Sequence, residues 1–347
     1  MNEPELRIDL DAFAANLTVV RAHVAPAQLM LVVKDDAYGH GLEQIIRRAV
    51  VEGVGWFGAF DVRESLRARR AAGPQARVFS WLTVGRDQIA DALSSDIDLG
   101  VGDAGFLDDV AAVAGATGNT ARVHLKIDTG LHRNGIRPED WPSVVDRARA
   151  FERAGWIRVV GVWSHLAEAS DREDDAARGI FDEAVRAAED AGFALEVRHL
   201  AASAASFARP QFRYDLVRVG AFCYGVRSAG GPAEADLGVR PIATLVAPVT
   251  HVSDHAVSIG VGALHGLPSS LARHAVLAPA QGRISVEHIG PFHTTVSPWP
   301  HATLGDDVTV FGPDAASATD LAETIGTVGE EILVRISPLV PRVYRSE

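Results

Sequence analysis

Eight short apolar runs, interleaved with amphipathic stretches, limit what this chain can fold into more than any other feature. They are MLVVKD (30–35), WFGAF (56–60), VFSWL (78–82), IDLGV (97–101), ARVHLKID (121–128), IRVVGVWSHL (157–166), EVRHLAA (196–202) and DLVRVGAFCYG (215–225). Most of the intervening segments carry helix patterns. DDAARGIFDEAVRAAEDAG (174–192) is acidic at its start, repeats apolar residues every three or four positions and stops at Gly192. The acidic run DREDDAAR (171–178) reads as the solvated start of that helix. Strands that alternate with helices form parallel sheets. A doubly wound open sheet is the competitor. The count of eight, and the lack of a Gly-rich turn after the first strand, favour a closed (β/α)8 barrel.

After residue 228 the texture changes. SAGGPAEADLGVRP (228–241) reads as a linker. Then come strand-like runs without regular helices: IATLVAPVTHV, AVSIGVG, HAVLAPAQGRISVEHIG, FHTTV and DDVTVFG. Two short helical pieces follow near 318–334, then ILVRISPLVPRVY. The expectation is an α/β fold of two domains: a (β/α)8 TIM barrel over 8–228 and a mostly-β domain over 229–347. Residues 1–7 are expected to pair with the second domain, and Asp11 to cap the helix AFAANLTVVRAHV. There is no internal repeat.

With 45 acidic and 33 basic residues the chain carries a formal charge of −12, which argues against nucleic acid or an anionic membrane as partner. The single cysteine, Cys223, excludes an internal disulfide and any cysteine-based metal cluster, and it reads as a core residue. The amino terminus, MNEPELRIDLD, is acidic and has no apolar core run, and no apolar stretch reaches the ~20 residues of a membrane span. The expected location is the cytoplasm, and no metal site is expected.

Of the 33 basic residues only two, Lys34 and Lys126, are lysine. Lysine differs from arginine in that its amine can lose a proton and act as a nucleophile. In a β/α barrel the active site lies at the carboxyl ends of the strands. Lys34 ends the first run. Lys126, Asp128 and Arg133 lie in KIDTGLHRNG, after the fifth; His165 ends the sixth; Ser203 follows the seventh; Arg218 is within the eighth. A nucleophilic amine, an aromatic base, a hydroxyl and two arginines suit a carbonyl cofactor with a phosphate tail, and pyridoxal 5'-phosphate fits that description.

Six segments, in order, carry a family likeness: RIDLDAFAANL, VVKDDAYGHG, KIDTGLHRNGI, SHLAEA, DLVRVGAFCYG and ILVRISPLVPRVY. The chain resembles the alanine racemase family, pyridoxal-phosphate enzymes built from a β/α barrel and a β domain. The likeness implies that Lys34 holds the cofactor as an imine and takes the substrate α-proton. It implies that Tyr38 and Ser203 reach the phosphate with the backbone at Gly220 and Ala221, and that His165 packs by the pyridine ring. Arg218 would face the pyridine nitrogen and keep it unprotonated, because an arginine does not give up a proton. Arg133 would lie near the substrate carboxylate, and Lys126 can carry a carbamate that orients it. Asp128 reads as structural, holding the turn before Arg133. A homodimer with composite sites and a small amino-acid substrate are also implied.

The likeness breaks in the β domain. Racemisation needs a base on each face of the α-carbon, and the family supplies the second as a tyrosine in an IGYADG-like motif. Here the stretch is SIGVGALHGLP, with Val261 at that position. The family's Met-Asp pair becomes Val286 and Glu287 in GRISVEH, and Asp35 replaces a usual alanine. His265 is the remaining candidate base in the same loop. Three readings stay open: a racemase or epimerase with altered specificity; a one-base enzyme of aldol cleavage, elimination, exchange or decarboxylation; and a non-catalytic relative that binds the cofactor.

Overall fold

The computed structural model describes residues 3–277 and 282–346. The chain divides into two compact units. One comprises Arg21–Lys34 and Ala49–Gly220; the other comprises Met1–Val20, Asp35–Arg48 and Ala221–Glu347.

Strand β1 (Glu5–Asp9) belongs to the second unit. The first unit holds β2 (Gln28–Val32), β3 (Trp56–Asp61), β4 (Arg77–Leu82), β5 (Asp98–Val101), β6 (Ala121–Lys126), β7 (Ile157–Trp163), β8 (Val197–His199) and β9 (Leu216–Val219). Each of the eight apolar runs thus overlaps a strand. The pairings are parallel, in the order β8-β7-β6-β5-β4-β3-β2-β9. The two ends meet through the Asp215 N–H on the Arg198 carbonyl (3.2 Å) and the Arg218 N–H on the Ala201 carbonyl (3.1 Å). The sheet therefore closes, and a (β/α)8 barrel results.

Barrel strands face side chains inside and helices outside, so they bury both faces and read as unbroken apolar runs. All four residues of β5 are buried. Helices start where a side-chain oxygen meets an orphan N–H: Asp61 accepts from Glu64, Asp103 from Phe106, and Ser170 from Glu173. The Ser170 cap sets the start of the helix Asp171–Asp190, and Gly192 follows with φ 86°. Inside the barrel Met30, Trp56, Phe79, Trp163, Val197 and Leu216 pack together. Large rings fit because glycine faces them: a Cβ on Gly161 would lie 2.4 Å from His124 Nδ1.

The second unit is built on a β sheet. Its strands are β10 (Ala243–Val252), β11 (Val257–Ile259), β12 (Val276–Leu277), β13 (Ile284–Ile289), β14 (Thr294–Val296), β15 (Asp307–Phe311) and β16 (Arg342–Arg345), with β1 inserted between β10 and β16. β1 runs antiparallel to β10, Leu6 opposite Leu245, and parallel to β16, Leu6 opposite Arg342. Asp11 is not the cap of the helix that follows. The helix starts at Leu10, so Asp9 takes that place and its carboxylate accepts the Ala12 N–H (2.7 Å), while Asp11 pairs with Arg48 (2.7 Å). Cys223 is buried, as expected of a core residue.

The same unit holds an unusual turn. Asp35, Asp36, Ala37 and Tyr38 all have φ of 55–56°, a left-handed helical turn made without glycine. Left-handed residues with a Cβ cost roughly 1–2 kcal/mol each. The turn closes through Gly39 N–H to the Asp35 carbonyl (2.8 Å) and Gly41 N–H to the Asp36 carbonyl (3.0 Å). Arg342 donates to the Gly39 carbonyl (3.0 Å) and the Tyr344 hydroxyl to the His40 carbonyl (3.0 Å). Among the described residues no helix is long and apolar enough to cross a membrane.

Gly161→Ala forces a methyl against the buried His124 ring. Overpacking of this kind costs about 1–3 kcal/mol, so urea unfolding of the variant should show a lower midpoint at unchanged slope. An unchanged midpoint would show that the ring moves aside freely.

Candidate active site

The barrel strands deliver their last residues to one rim, and the polar candidates of the first unit follow from where each strand stops. Lys34 comes two residues after β2, just beyond Val33, whose N–H binds the Gly58 carbonyl (2.8 Å). Lys126 is the last residue of β6. Ser164 and His165 follow β7, Ser203 opens the short helix after β8, and Arg218 lies within β9. The Ser203 hydroxyl accepts the Gly220 N–H (3.4 Å).

Arg218 is 3% exposed, and its hydrogen-bond partners are all neutral. Nη1 donates to the His199 carbonyl (3.0 Å) and to His199 Nδ1 (3.2 Å). Nη2 donates to the carbonyls of Ser164 (2.7 Å) and Leu200 (2.9 Å) and to His165 Nδ1 (3.2 Å). Nε has no acceptor among the described residues. Burial and then the charge of Arg133 lower the guanidinium to about 9, so it remains a cation at neutral pH.

That cation governs its neighbours. Burial first, then Arg218, Arg133, Lys126 and Lys34, push His165 to about 3. The ring is neutral, its Nδ1 is occupied as an acceptor, and its proton therefore sits on Nε2. Lys126 is 5% exposed with its ammonium 4.6 Å from the centre of the Trp163 ring. Burial, then Arg218 and Arg133, lower its amine to about 8, against a weaker opposing pull from Asp128. A fraction of Lys126 is thus the free amine near neutral pH.

Arg133 is exposed in the loop after β6. Asp128 shapes that loop: its carboxylate accepts from Gly130 N–H (3.1 Å), His132 N–H (3.1 Å) and His132 Nδ1–H (2.9 Å). Asp128 N–H reaches the Ile136 carbonyl and Ile136 N–H the Lys126 carbonyl, both at 2.8 Å, which pins the loop at its base. The structural role expected of Asp128 is what these bonds provide.

The second unit holds Tyr38, Ala221, Val261 and His265. Tyr38 is 7% exposed and lies 5.0 Å, ring centre to ring centre, from Tyr224. Burial, then Glu330 and Asp35, raise its phenol, which stays protonated. Ala221 opens a short 3-10 turn, and its carbonyl accepts the Val226 N–H. Val261 is fully buried, with its carbonyl bound by the Thr294 hydroxyl (2.7 Å). A tyrosine there would overpack the core. His265 is half-buried, and its Nδ1 accepts the Gly262 N–H (3.1 Å). The neutral ring therefore carries its proton on Nε2, a donor rather than a base. Val286 is buried and Glu287 exposed on β13. Among the described residues no cluster of three or more His, Cys, Asp or Glu could hold a metal ion.

Sequence reading did not single out the buried groups beneath Arg218. His199 Nε2 lies 2.9 Å from His124 Nδ1, and His124 Nε2 lies 3.2 Å from Asp98 Oδ2. Asp98 also takes Arg122 Nε (2.6 Å) and Arg77. One signal was available: His124 is two residues before Lys126 and so shares its strand face.

Two sequence families match: alanine racemase, N-terminal domain, over residues 8–228, and alanine racemase, C-terminal domain, over 249–344. The chain is 38% identical to an alanine racemase of Beutenbergia cavernae, with 97% of this chain and 96% of that protein covered. It is 34% identical to one of Thermobifida fusca, with 98% and 97% covered. The crystal structure of alanine racemase from the D-cycloserine-producing Streptomyces lavendulae superposes with a TM-score of 0.94 at 34% identity, over 100% of this chain and 98% of that one. An alanine racemase structure from Streptomyces coelicolor gives 0.95 at 33% identity, over 99% and 98%.

Burial alone would raise the Asp98 carboxyl, but the His124 hydrogen bond, the electrostatic interaction with that ring and then the charges of Arg77 and Arg122 outweigh it and lower the group to about 2. A carboxyl lowered on folding stabilises above its unfolded value of about 3.9 and loses that stabilisation as pH falls through the folded value. From 3.8 to about 2 the contribution is on the order of 2 kcal/mol. The stability difference between wild type and Asp98→Asn should therefore be constant above pH 5 and shrink between pH 4 and pH 2. A difference that does not change with pH would show that Asp98 gains nothing from ionising.

Proposed function

The chain belongs to the alanine racemase family, and from that premise we propose that it is a pyridoxal-phosphate-dependent amino-acid isomerase of the barrel-rim type. The observation that carries the reading is Arg218: a buried cation whose Nη groups are fully engaged by protein acceptors while Nε is left as a donor. That donor suits an unprotonated ring nitrogen. A primary amine on Lys34 and the hydroxyl of Ser203 with Gly220 are donors that suit an aldehyde and a phosphate, and the family likeness adds Tyr38 and Ala221.

When bound, pyridoxal phosphate supplies an electron-withdrawing ring that acidifies the α-proton of an amino acid joined to it. Lys34 holds the cofactor and moves the α-proton. Arg218, which stays charged and only donates, leaves the ring nitrogen without a proton and so moderates electron withdrawal. His165, neutral with Nε2–H outward, supplies a flat uncharged wall. Arg133 attracts the substrate carboxylate. Tyr38, Ser203, Gly220 and Ala221 hold the phosphate. The substrate is a small amino acid. The family likeness supports a cytoplasmic homodimer, and exposed Leu264 (53%) and Phe292 (56%) beside His265 support a face that a second copy covers.

A second reading is favoured by two observations. Val261 is core, and His265 as hydrogen-bonded presents a proton rather than a lone pair. The face opposite Lys34 then lacks a base from this segment, and one-base chemistry becomes the competitor. Loss of one acid–base group typically costs ~10²–10⁴-fold in rate.

Borohydride reduction followed by peptide mapping should place one label on Lys34 and none in Lys34→Ala; a label on Lys126, or none, would sink the cofactor assignment. In D₂O, exchange from D-alanine but not L-alanine would support one-base chemistry. Exchange from both, lost for the L-form in His265→Ala, would assign His265 as the second base.

The Lys126 amine, partly neutral between two arginines, is suited to carbamate formation. Its lone pair bonds to the carbon of CO₂, nitrogen loses a proton to solvent, and an anion replaces a cation beside Arg133 and Arg218. Supplying ¹³CO₂ should give a carbonyl carbon resonance that disappears in Lys126→Arg; the same spectrum in both proteins would refute the modification.

A further inference from the structure

We propose that Asp98, His124 and His199 are positioning residues, a hydrogen-bond relay of fixed direction that holds the Arg218 guanidinium in one orientation, with its Nη groups engaged by the protein and Nε left over as a donor. The proposal rests on the reading that Arg218 Nε serves the cofactor ring.

The direction follows from the two ends. Arg218 can only donate, and its Nη1 lies 3.2 Å from His199 Nδ1, so that nitrogen is an acceptor. The His199 proton is then on Nε2, which donates over 2.9 Å to His124 Nδ1. The His124 proton is in turn on Nε2 and donates over 3.2 Å to Asp98 Oδ2. Asp98, an ionised carboxylate, can only accept. Each imidazole is therefore neutral and held as one tautomer, and no step of the relay has a second arrangement while both ends are charged. All three side chains are fully buried.

Packing keeps the rings in line. His199 stacks on Trp163 at an interplanar angle of 4°, and the His124 ring centre lies 4.7 Å from Phe79. Gly161 leaves room for His124. A charge at the far end also matters energetically. A buried cation with only neutral ligands is costly, and a carboxylate that polarises two imidazoles toward it offsets part of that cost. Replacing Asp98 by asparagine lets the amide donate to His124. The tautomers can then reverse, which puts His199 Nδ1–H against Arg218 Nη1–H and frees the guanidinium to turn.

The test uses ¹⁵N-histidine NMR on the cofactor-free protein, with the two signals assigned by His124→Gln and His199→Asn, together with turnover and the absorption spectrum of the cofactor-loaded enzyme. The wild type should show both rings as the neutral Nε2–H tautomer. Asp98→Asn should move at least one to Nδ1–H, shift the absorption of the bound cofactor, and lower kcat on the order of 10–100-fold with a smaller change in KM. His199→Asn, whose side-chain oxygen can still accept from Arg218, should retain more activity than His199→Leu. Arg122→Gln removes an ion pair of Asp98 without touching the histidines; it should lower stability and leave the spectrum as in wild type. A wild-type ring found as Nδ1–H or as a cation overturns the relay whether or not the chain takes pyridoxal phosphate. Correct tautomers, with spectrum and kcat unmoved in Asp98→Asn and His199→Leu, overturn the positioning role. A failed lysine label with correct tautomers refutes the cofactor assignment instead.

Discussion

A single buried guanidinium organises the barrel. Arg218 lies where the sheet closes, and its two Nη groups gather three carbonyls from the ends of two chain segments, Ser164 after β7 and His199 with Leu200 at the end of β8. Those bonds are local expressions of strand register: shift β8 against β9 by one residue and the carbonyls face elsewhere. Burial first, and then this charge, set the state of the groups around it. Together they keep His165 and His199 neutral and bring Lys126 within reach of neutral pH.

The barrel was legible because strands buried on both faces appear as unbroken apolar runs, and eight of them fell at barrel spacing. The places of Lys34, Lys126, His165, Ser203 and Arg218 at the strand ends followed from that, since strand direction fixes which end is the rim. Their roles rest on the family likeness and on the proposals above. What the sequence hid was of two kinds. Contacts between residues far apart, such as His124 with His199 at a separation of 75, depend on which strands become neighbours across the barrel. Local conformation that opposes propensity was also invisible. Nothing in DDAY announces a left-handed turn, because no glycine is present to mark it. The choice of Asp11 over Asp9 as helix cap failed for a smaller reason: both are acceptors at a strand-to-helix junction, and only the pairing of Asp11 with Arg48 separates them.

The β domain shows the reverse balance. Its sheet resembles that of the family, yet position 261 has been absorbed into the core and the neighbouring histidine is tied to its own loop. What the structure does show at this position is packing: Val261 is a core residue whose carbonyl takes the Thr294 hydroxyl.

The left-handed turn after Lys34 has a consequence for how the molecule is made. Its strained residues, 35–38, are followed by two carbonyls, of Gly39 and His40, held by the side chains of Arg342 and Tyr344, which lie 303 and 304 positions further along the chain. Local bonds within the turn form early; the clamp cannot exist until translation has reached the tail. A chain without the Arg342 and Tyr344 side chains would keep all eight barrel strands and still lack the bonds that hold the segment following Lys34. Strand β16 thus ties the finishing of that turn to the finishing of the sheet.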